Sequence, residues 1–178
     1  SCLNCFASSI KQPEFAGSFY PAQKAELSTM IDNFLQKAEP ESAPGPGEIF
    51  ALISPHAGYG YSGQVAGFGY KLIKQKPYKT VIILGTSHHK PFSGAAVYAQ
   101  GVFVTGLGAL EIDDKFIKNI IDKSPEIFSD ESAFSGEHSV EVQLPFLQKT
   151  LKDFKIVPIV VGDCSLDTCK KIALLLKE

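Results

Sequence analysis

The four histidines are the residues of this sequence best suited to bind a metal or to transfer protons. His56 follows an apolar run at 49–54, and the pair His88 and His89 follows a second apolar run at 80–84. Neutral imidazole binds iron, copper, zinc and nickel, and histidine is the side chain that exchanges protons most readily near neutral pH. The two turns therefore predict one shared metal-binding or catalytic site that contains His56 and His88.

Two predicted strands position these turns. Each apolar run has the composition of a strand buried on both faces of a sheet, and the sequence at 63–74 predicts a helix between them. A right-handed crossover makes such strands parallel and close in space. Because ligands bind at the carboxyl ends of parallel strands, we expect both histidines on one rim of the sheet.

Further elements along the chain predict an α/β fold. The expected class is a mixed, largely parallel central sheet with helices on both faces. Helices are predicted from Lys24 until shortly before Pro40 and at 115–121, 138–151 (bent by Pro145) and 166–176, and strands at 155–161 and, as a candidate hairpin, at 95–98 and 101–104. Residues 1–12 are predicted to be an N-terminal tail and 13–178 a single domain.

The other two histidines are candidates for proton transfer. His138 precedes an amphipathic stretch with Ser139 as a candidate N-cap, and a helix N-terminus disfavours a charged imidazole. A neutral His138 could act as a base or as a hydrogen-bond donor, or it could simply cap the helix. His89 could act as a general base or orient His88, but adjacent side chains point apart, so both should not bind one metal.

Three nearby residues have less specific interpretations. Tyr59 and Tyr61 follow His56 closely in the sequence. Either phenol could bind a substrate, but packing on the rim with the hydroxyl in solvent is the more common arrangement. Glu141 could bind metal or orient a histidine, and we expect it on a solvated helix face.

Composition limits the classes of partner. The 178 residues have a formal net charge of -2 at pH 7, and all 17 basic residues are lysines. This balance gives no reason to expect nucleic-acid binding, and no apolar run is long enough for a membrane span. Cys2 and Cys5 are a weak candidate metal pair, and Cys164 and Cys169 do not complete it at zinc spacing. We expect a cytoplasmic protein with reduced thiols.

An ordered set of sequence motifs runs along most of the chain. Each motif alone is weak, but together they cover the chain from about Pro13 to Gly162. They are Ala16-Gly17-Ser18-Phe19-Tyr20, Pro55-His56-Ala57-Gly58-Tyr59, Tyr61-Ser62-Gly63, Ile83-Leu84-Gly85-Thr86-Ser87-His88-His89, Glu137-His138-Ser139-Val140-Glu141, Gln143-Leu144-Pro145-Phe146 and Val157-Pro158-Ile159-Val160-Val161-Gly162.

Together these motifs resemble the Memo family, which includes protein B of the AmmeMemoRadiSam system. The resemblance implies a fold similar to that of the class III, LigB-like extradiol dioxygenases. It implies that His56 and His88 are metal ligands, with Fe(II) as the first choice of metal and Cu or Zn as alternatives. The family's third ligand and a further histidine come from later segments that this sequence does not contain. We therefore expect this chain to lack the family's C-terminal segment and to hold only part of the site.

Three functions follow from the resemblance and the residues. The first is a metal-dependent, dioxygenase-like or redox role on a small-molecule substrate, with His138 and His89 as acid–base groups. The second is a peptide- or protein-binding module that uses the same rim, since Memo is associated with phosphotyrosine peptides, although the missing arginine disfavours phosphate recognition. Partners from the AmmeMemoRadiSam system are a further expectation. The third is that the chain has lost its function with the missing segment, in which case either its exposed sheet edge pairs in a homo-oligomer or the domain is a deliberately shortened one.

Overall fold

The computed structural model describes residues 9–39 and 48–177. They form a mixed α/β fold with seven strands and five helices. The strands are β1 (Ile10–Lys11), β2 (Thr80–Thr86), β3 (Ala95–Val97), β4 (Val102–Thr105), β5 (Gly108–Glu111), β6 (Ile127–Ser129) and β7 (Lys155–Val161). The helices are α1 (Lys24–Lys37), α2 (Tyr59–Leu72), α3 (Asp114–Ile121), α4 (Leu144–Thr150) and α5 (Leu166–Leu176), with two 3₁₀ turns at Glu131–Phe134 and Glu141–Gln143.

The larger sheet has four strands in the order β2-β7-β3-β6. The strands β2 and β7 are parallel over their full length, from Thr80 opposite Lys155 to Thr86 opposite Val161. The short strand β3 is antiparallel to β7 and parallel to β6. A smaller sheet has the order β1-β4-β5 and is also mixed. The predicted mixed sheet and α/β class are confirmed.

The most regular sequence patterns gave the most accurate predictions. The helix from Lys24 is α1, and the run at 155–161 is β7. Helix α3 begins after Asp113, whose carboxylate accepts the backbone N–H of Phe116 as an N-cap. These elements have clear periodicity, and α3 also has a capping residue, so the local sequence is sufficient to define them.

The predicted strand at 49–54 is wrong. This segment has no assigned strand or helix, and the residues Phe50 and Ile53 are 96% and 100% exposed. Leu52 packs closely on Gly69 of α2, and the Tyr78 hydroxyl donates to the Ile49 carbonyl. Apolar composition alone does not make a strand, because a strand also needs a neighbour for its backbone groups.

The candidate hairpin at 95–98 and 101–104 is also wrong. The strand β3 belongs to the larger sheet, whereas β4 pairs with β5 in the smaller one. The backbone N–H of Tyr98 bonds to the Pro158 carbonyl, 3.3 Å away, and so keeps this part of the chain on β7. β3 and β4 therefore do not pair with each other, because each pairs with other strands instead.

The predicted helix at 138–151 begins later than expected. Ser139 and Val140 form a turn, a 3₁₀ turn follows, and α4 starts at Leu144. Pro145 therefore lies in the first turn of α4, where its missing N–H costs little, and it does not bend a longer helix. Ser139 is not the N-cap of this helix.

The helices α1, α2 and α4 pack together around an aromatic cluster. The rings of Tyr70 and Phe146 stack at 4.9 Å, and Phe34 stacks on Phe146 at 6.2 Å. No helix in the described ranges 9–39 and 48–177 is long and apolar enough to cross a membrane.

Candidate metal centre

The turn that carries His56 is anchored to the segment 137–143. The Tyr59 backbone N–H donates to the Phe19 carbonyl at 2.7 Å, and the Tyr59 hydroxyl donates to the Val142 carbonyl at 2.7 Å. The Gln143 side-chain amide donates to the Pro55 carbonyl at 3.2 Å. These bonds fix the start of α2, and therefore His56, against the buried segment.

His88 lies two residues beyond the end of β2. The backbone N–H of Ser87 bonds to the Val161 carbonyl at 2.9 Å, which extends the contact with β7 past the strand. The backbone N–H of His88 donates to Glu137 Oε2 at 2.7 Å, and its ring nitrogen Nδ1 lies 2.9 Å from Glu137 Oε1. One carboxylate therefore holds both the backbone and the ring of His88.

His138 lies between the other two histidines and an aromatic wall. The Phe19 and Phe15 rings lie 4.7 Å and 5.5 Å from the His138 ring, measured between centroids. Both phenylalanines belong to the loop before α1. The buried Glu141 holds this loop by accepting the backbone N–H groups of Glu14 and Phe15, each at 2.9 Å.

The structure brings His56, His88 and His138 together. Ring centroids are 5.3 Å apart for His56 and His88, 5.6 Å for His56 and His138, and 4.4 Å for His88 and His138. One nitrogen from each ring can be chosen so that all three lie within 4.8 Å of one another. The predicted proximity of His56 and His88 is confirmed, although its expected basis, two adjacent parallel strands, is not.

The spacing of the three nitrogens fits a metal ion. An ion placed centrally among nitrogens no more than 4.8 Å apart lies at most about 2.8 Å from each, and Zn–N bonds are about 2.0–2.1 Å long. Movements of less than about 1 Å, within the range of a small ring rotation, would bring all three into bonding distance. The donor set of three imidazoles is suited to zinc, copper or iron.

The charge state of the site favours metal binding. Burial lowers the pKa of His138, and the neighbouring His88 and His56 rings lower it further, while Glu137 acts in the opposite direction. His138 is therefore neutral at neutral pH, as a metal ligand must be. Burial alone would raise the pKa of Glu137, but hydrogen bonds from Ser139 and His88 lower it to about 2. The site thus contains an ionised Glu137 carboxylate beside a neutral His138 ring.

His89 lies apart from this cluster. It is exposed, its ring centroid is 6.3 Å from that of His88, and it is not one of the three clustered rings. This position agrees with the expectation that adjacent histidines point apart. Acid–base roles for His89 and His138 remain predictions.

The two tyrosines of the His56 turn have different environments. Tyr59 is buried with its hydroxyl bonded to a carbonyl, which differs from the expected solvent-exposed hydroxyl. Burial raises the pKa of Tyr59 far above its usual value. Tyr61 is 93% exposed, because it lies on the outer face of the first turn of α2.

The expectation that Glu141 lies on a solvated face is wrong. Its side chain is buried and accepts three hydrogen bonds, from Glu14, Phe15 and Tyr20. Glu137 was not singled out from the sequence, although it is the residue that contacts His88. A glutamate beside a histidine gives no sequence signal for a partner 49 positions away.

The two cysteines within the described residues are not part of this cluster. Cys164 is half-buried, Cys169 is exposed, and both are free thiols. Cys2 and Cys5 lie outside the described residues. The weak prediction of a thiol metal site at the N-terminus stays untested.

Fold and site together define a mixed α/β protein with a three-histidine candidate metal centre at a sheet rim. The model of the family described as Memo-like protein matches residues 11–178, and the chain belongs to that family. It is 40% identical over 171 residues to a MEMO1 family protein of Nitrosopumilus maritimus, covering 92% of this chain and 60% of the relative.

Two further relatives give the same result. A MEMO1 family protein of Thermoplasma acidophilum is 36% identical over 91% of this chain and 59% of its own length. A MEMO1 family protein of Methanopyrus kandleri is 37% identical over 91% of this chain and 60% of its own length. The chain thus spans about 60% of the length of these curated relatives.

Proposed function

We propose that this Memo-family protein binds one divalent metal ion through His56, His88 and His138. The observation that supports this proposal most directly is the set of three ring nitrogens within 4.8 Å of one another. Fe(II) is the first choice of metal because the family resemblance implies it. Copper and zinc are alternatives because neutral imidazoles bind them as well. We also propose that the mixed α/β fold of this chain is similar to the fold of the class III extradiol dioxygenases.

The proposed role is a redox or dioxygenase-like reaction on a small molecule. Three protein ligands leave coordination positions open for a substrate. A bound Fe(II) would supply a redox-active centre that can bring a substrate and O₂ together. The protein would position the substrate with the Phe15 and Phe19 rings beside the three histidines, and the exposed His89 would accept or donate a proton at the rim.

The test is a metal titration of the purified chain, of the single variants His56→Ala and His88→Ala, and of the double variant that combines them. After the protein is stripped with a chelator and reloaded with Fe(II), Zn(II) or Cu(II), elemental analysis should give about one equivalent for the unmodified chain. Removing one of three ligands should weaken binding by at least about tenfold, since even residues supporting a ligand contribute about 10–100-fold. Undiminished binding by the double variant would overturn the site.

A second candidate function is peptide binding at the same rim. Its support is the exposed face of α2 next to His56, where Tyr61 and Val65 present apolar surface to solvent. Proteins of an AmmeMemoRadiSam system are candidate partners. Titration with one tyrosine peptide in phosphorylated and unphosphorylated forms separates this role from metal chemistry, and equally weak binding of both would count against it.

A further inference from the structure

The carboxylate of Glu137 contacts both the backbone N–H and the imidazole ring of His88. Oε2 accepts the backbone N–H of His88 at 2.7 Å, and the ring nitrogen Nδ1 lies 2.9 Å from Oε1 and 3.1 Å from Oε2. Oε1 also accepts the backbone N–H of Ser139 at 2.8 Å. The carboxylate therefore cannot rotate without breaking several hydrogen bonds, and it fixes the orientation of the imidazole.

We propose that Glu137 is a positioning residue that holds His88 as the Nδ1–H tautomer, and so reserves Nε2 for a ligand. Both oxygens of Glu137 already accept a backbone N–H group, from His88 and from Ser139, so the carboxylate acts as the acceptor toward the ring and the shared proton must be on Nδ1 of His88. A neutral ring protonated at Nδ1 has its lone pair on Nε2. Free histidine in water favours the opposite tautomer, with the proton on Nε2, so the protein must impose this state.

The positioning of His88 by Glu137 matters most for metal binding. The part of this inference that concerns metal affinity therefore rests on the proposed function. A carboxylate that accepts the second N–H of a ligating histidine fixes the tautomer and the ring orientation and makes the ligand more basic. Without it, binding must also supply the energy of moving the proton and of ordering the ring.

Glu141 shows that burial in this segment does not require a histidine contact. It lies four residues after Glu137, is equally buried, and also accepts two backbone N–H groups. Its third partner is the Tyr20 hydroxyl, 2.7 Å away. Glu141→Gln is therefore a matched control for Glu137→Gln, since both remove one buried carboxylate that ties loops together.

The first measurement uses the metal-free protein. Two-bond ¹H–¹⁵N correlation spectra report which ring nitrogen of each histidine carries the proton. We expect His88 to be the Nδ1–H tautomer in the unmodified chain and in Glu141→Gln, and to shift toward Nε2–H in Glu137→Gln. An Nε2–H tautomer in the unmodified chain, which needs no variant to fold, would overturn the proposal, as would Nδ1–H retained in Glu137→Gln.

The second measurement compares metal affinity in the same three proteins. Glu137→Gln should weaken binding by about 10–100-fold, and by more than Glu141→Gln does. Equal losses would overturn the positioning role. If the unmodified chain binds no metal, the proposed function fails, while the spectra still decide whether Glu137 sets the tautomer.

Discussion

The Tyr20 hydroxyl donates a 2.7 Å hydrogen bond to the Glu141 carboxylate, joining the loop before α1 to the segment that carries His138. Burial, together with this bond, raises the pKa of Tyr20, so the phenol stays a donor at neutral pH. The same loop contributes Phe15 and Phe19 to the wall beside His138. The shape of the site therefore depends on a contact between residues 121 positions apart.

Tyr20→Phe should lower the free energy of unfolding by about 1.5–3 kcal/mol, the range for a hydrogen bond to a charged group. The expected loss follows because Glu141 stays buried with one donor fewer. Urea unfolding followed by circular dichroism measures the change. Tyr61→Phe, at an exposed tyrosine, is the control and should have almost no effect. Equal losses in the two variants would contradict this assignment.

Gly85→Ala should destabilise the contact between β2 and the segment 137–143. A Cβ atom at Gly85 would overlap the Ser139 hydroxyl and lie 2.8 Å from Val140 Cγ2. Overpacking of this kind costs about 1–3 kcal/mol, so the melting temperature should fall. At Gly60, a Cβ would have no described atom within 4 Å. Gly60→Ala is in helix α2 and should stabilise the protein by up to about 1 kcal/mol. An unchanged melting temperature in Gly85→Ala would show that the segment can move away.

Asp130 should make stability depend on pH in the acid range. Hydrogen bonds from Lys90 and Ser132, each 2.6 Å long, lower the pKa of Asp130 below its usual value. A carboxyl group whose pKa is lower in the folded state stabilises the protein above its unfolded pKa of about 3.9 and loses this contribution as pH falls through the folded value.

Asp130→Asn should therefore be less stable than the unmodified chain at pH 7, and the difference should shrink below about pH 4. Chemical unfolding at several pH values between 2 and 7 measures this. The effect of Asp130→Asn should also be smaller when Lys90→Met is already present, because the two groups interact directly. A constant difference at all pH values would exclude a titration of Asp130 as its cause.

Metal should raise the melting temperature, and this rise should require the His138 side chain but not the His89 side chain. A ligand present at 100 times its dissociation constant stabilises the folded state by about 2.7 kcal/mol. His138→Ala should lose most of this stabilisation because it removes one of the three clustered rings, while His89→Ala should keep it. Thermal scans with Zn(II), with and without a chelator, give the comparison. A full metal-induced shift in His138→Ala would remove this residue from the ligand set.

The sequence predicted elements with strong local signals. The periodic apolar positions of α1, the Asp113 cap of α3 and the β-branched run of β7 each specify their own structure. Strand pairing was less predictable, because β4 and the segment 49–54 depend on which backbone partners are present in three dimensions. Composition alone does not carry that information.

For the candidate site, the sequence by itself indicated the residue types and the rim location of His56 and His88. Motif resemblance made them expected metal ligands. Only the tertiary structure placed His138 within reach of both rings and identified Glu137 as the partner of His88. The physical reason is that the buried segment 137–143 is not a regular helix. Its side chains and carbonyls bond to the His56 turn, the His88 turn and the loop before α1, and such long-range hydrogen bonds follow no sequence period.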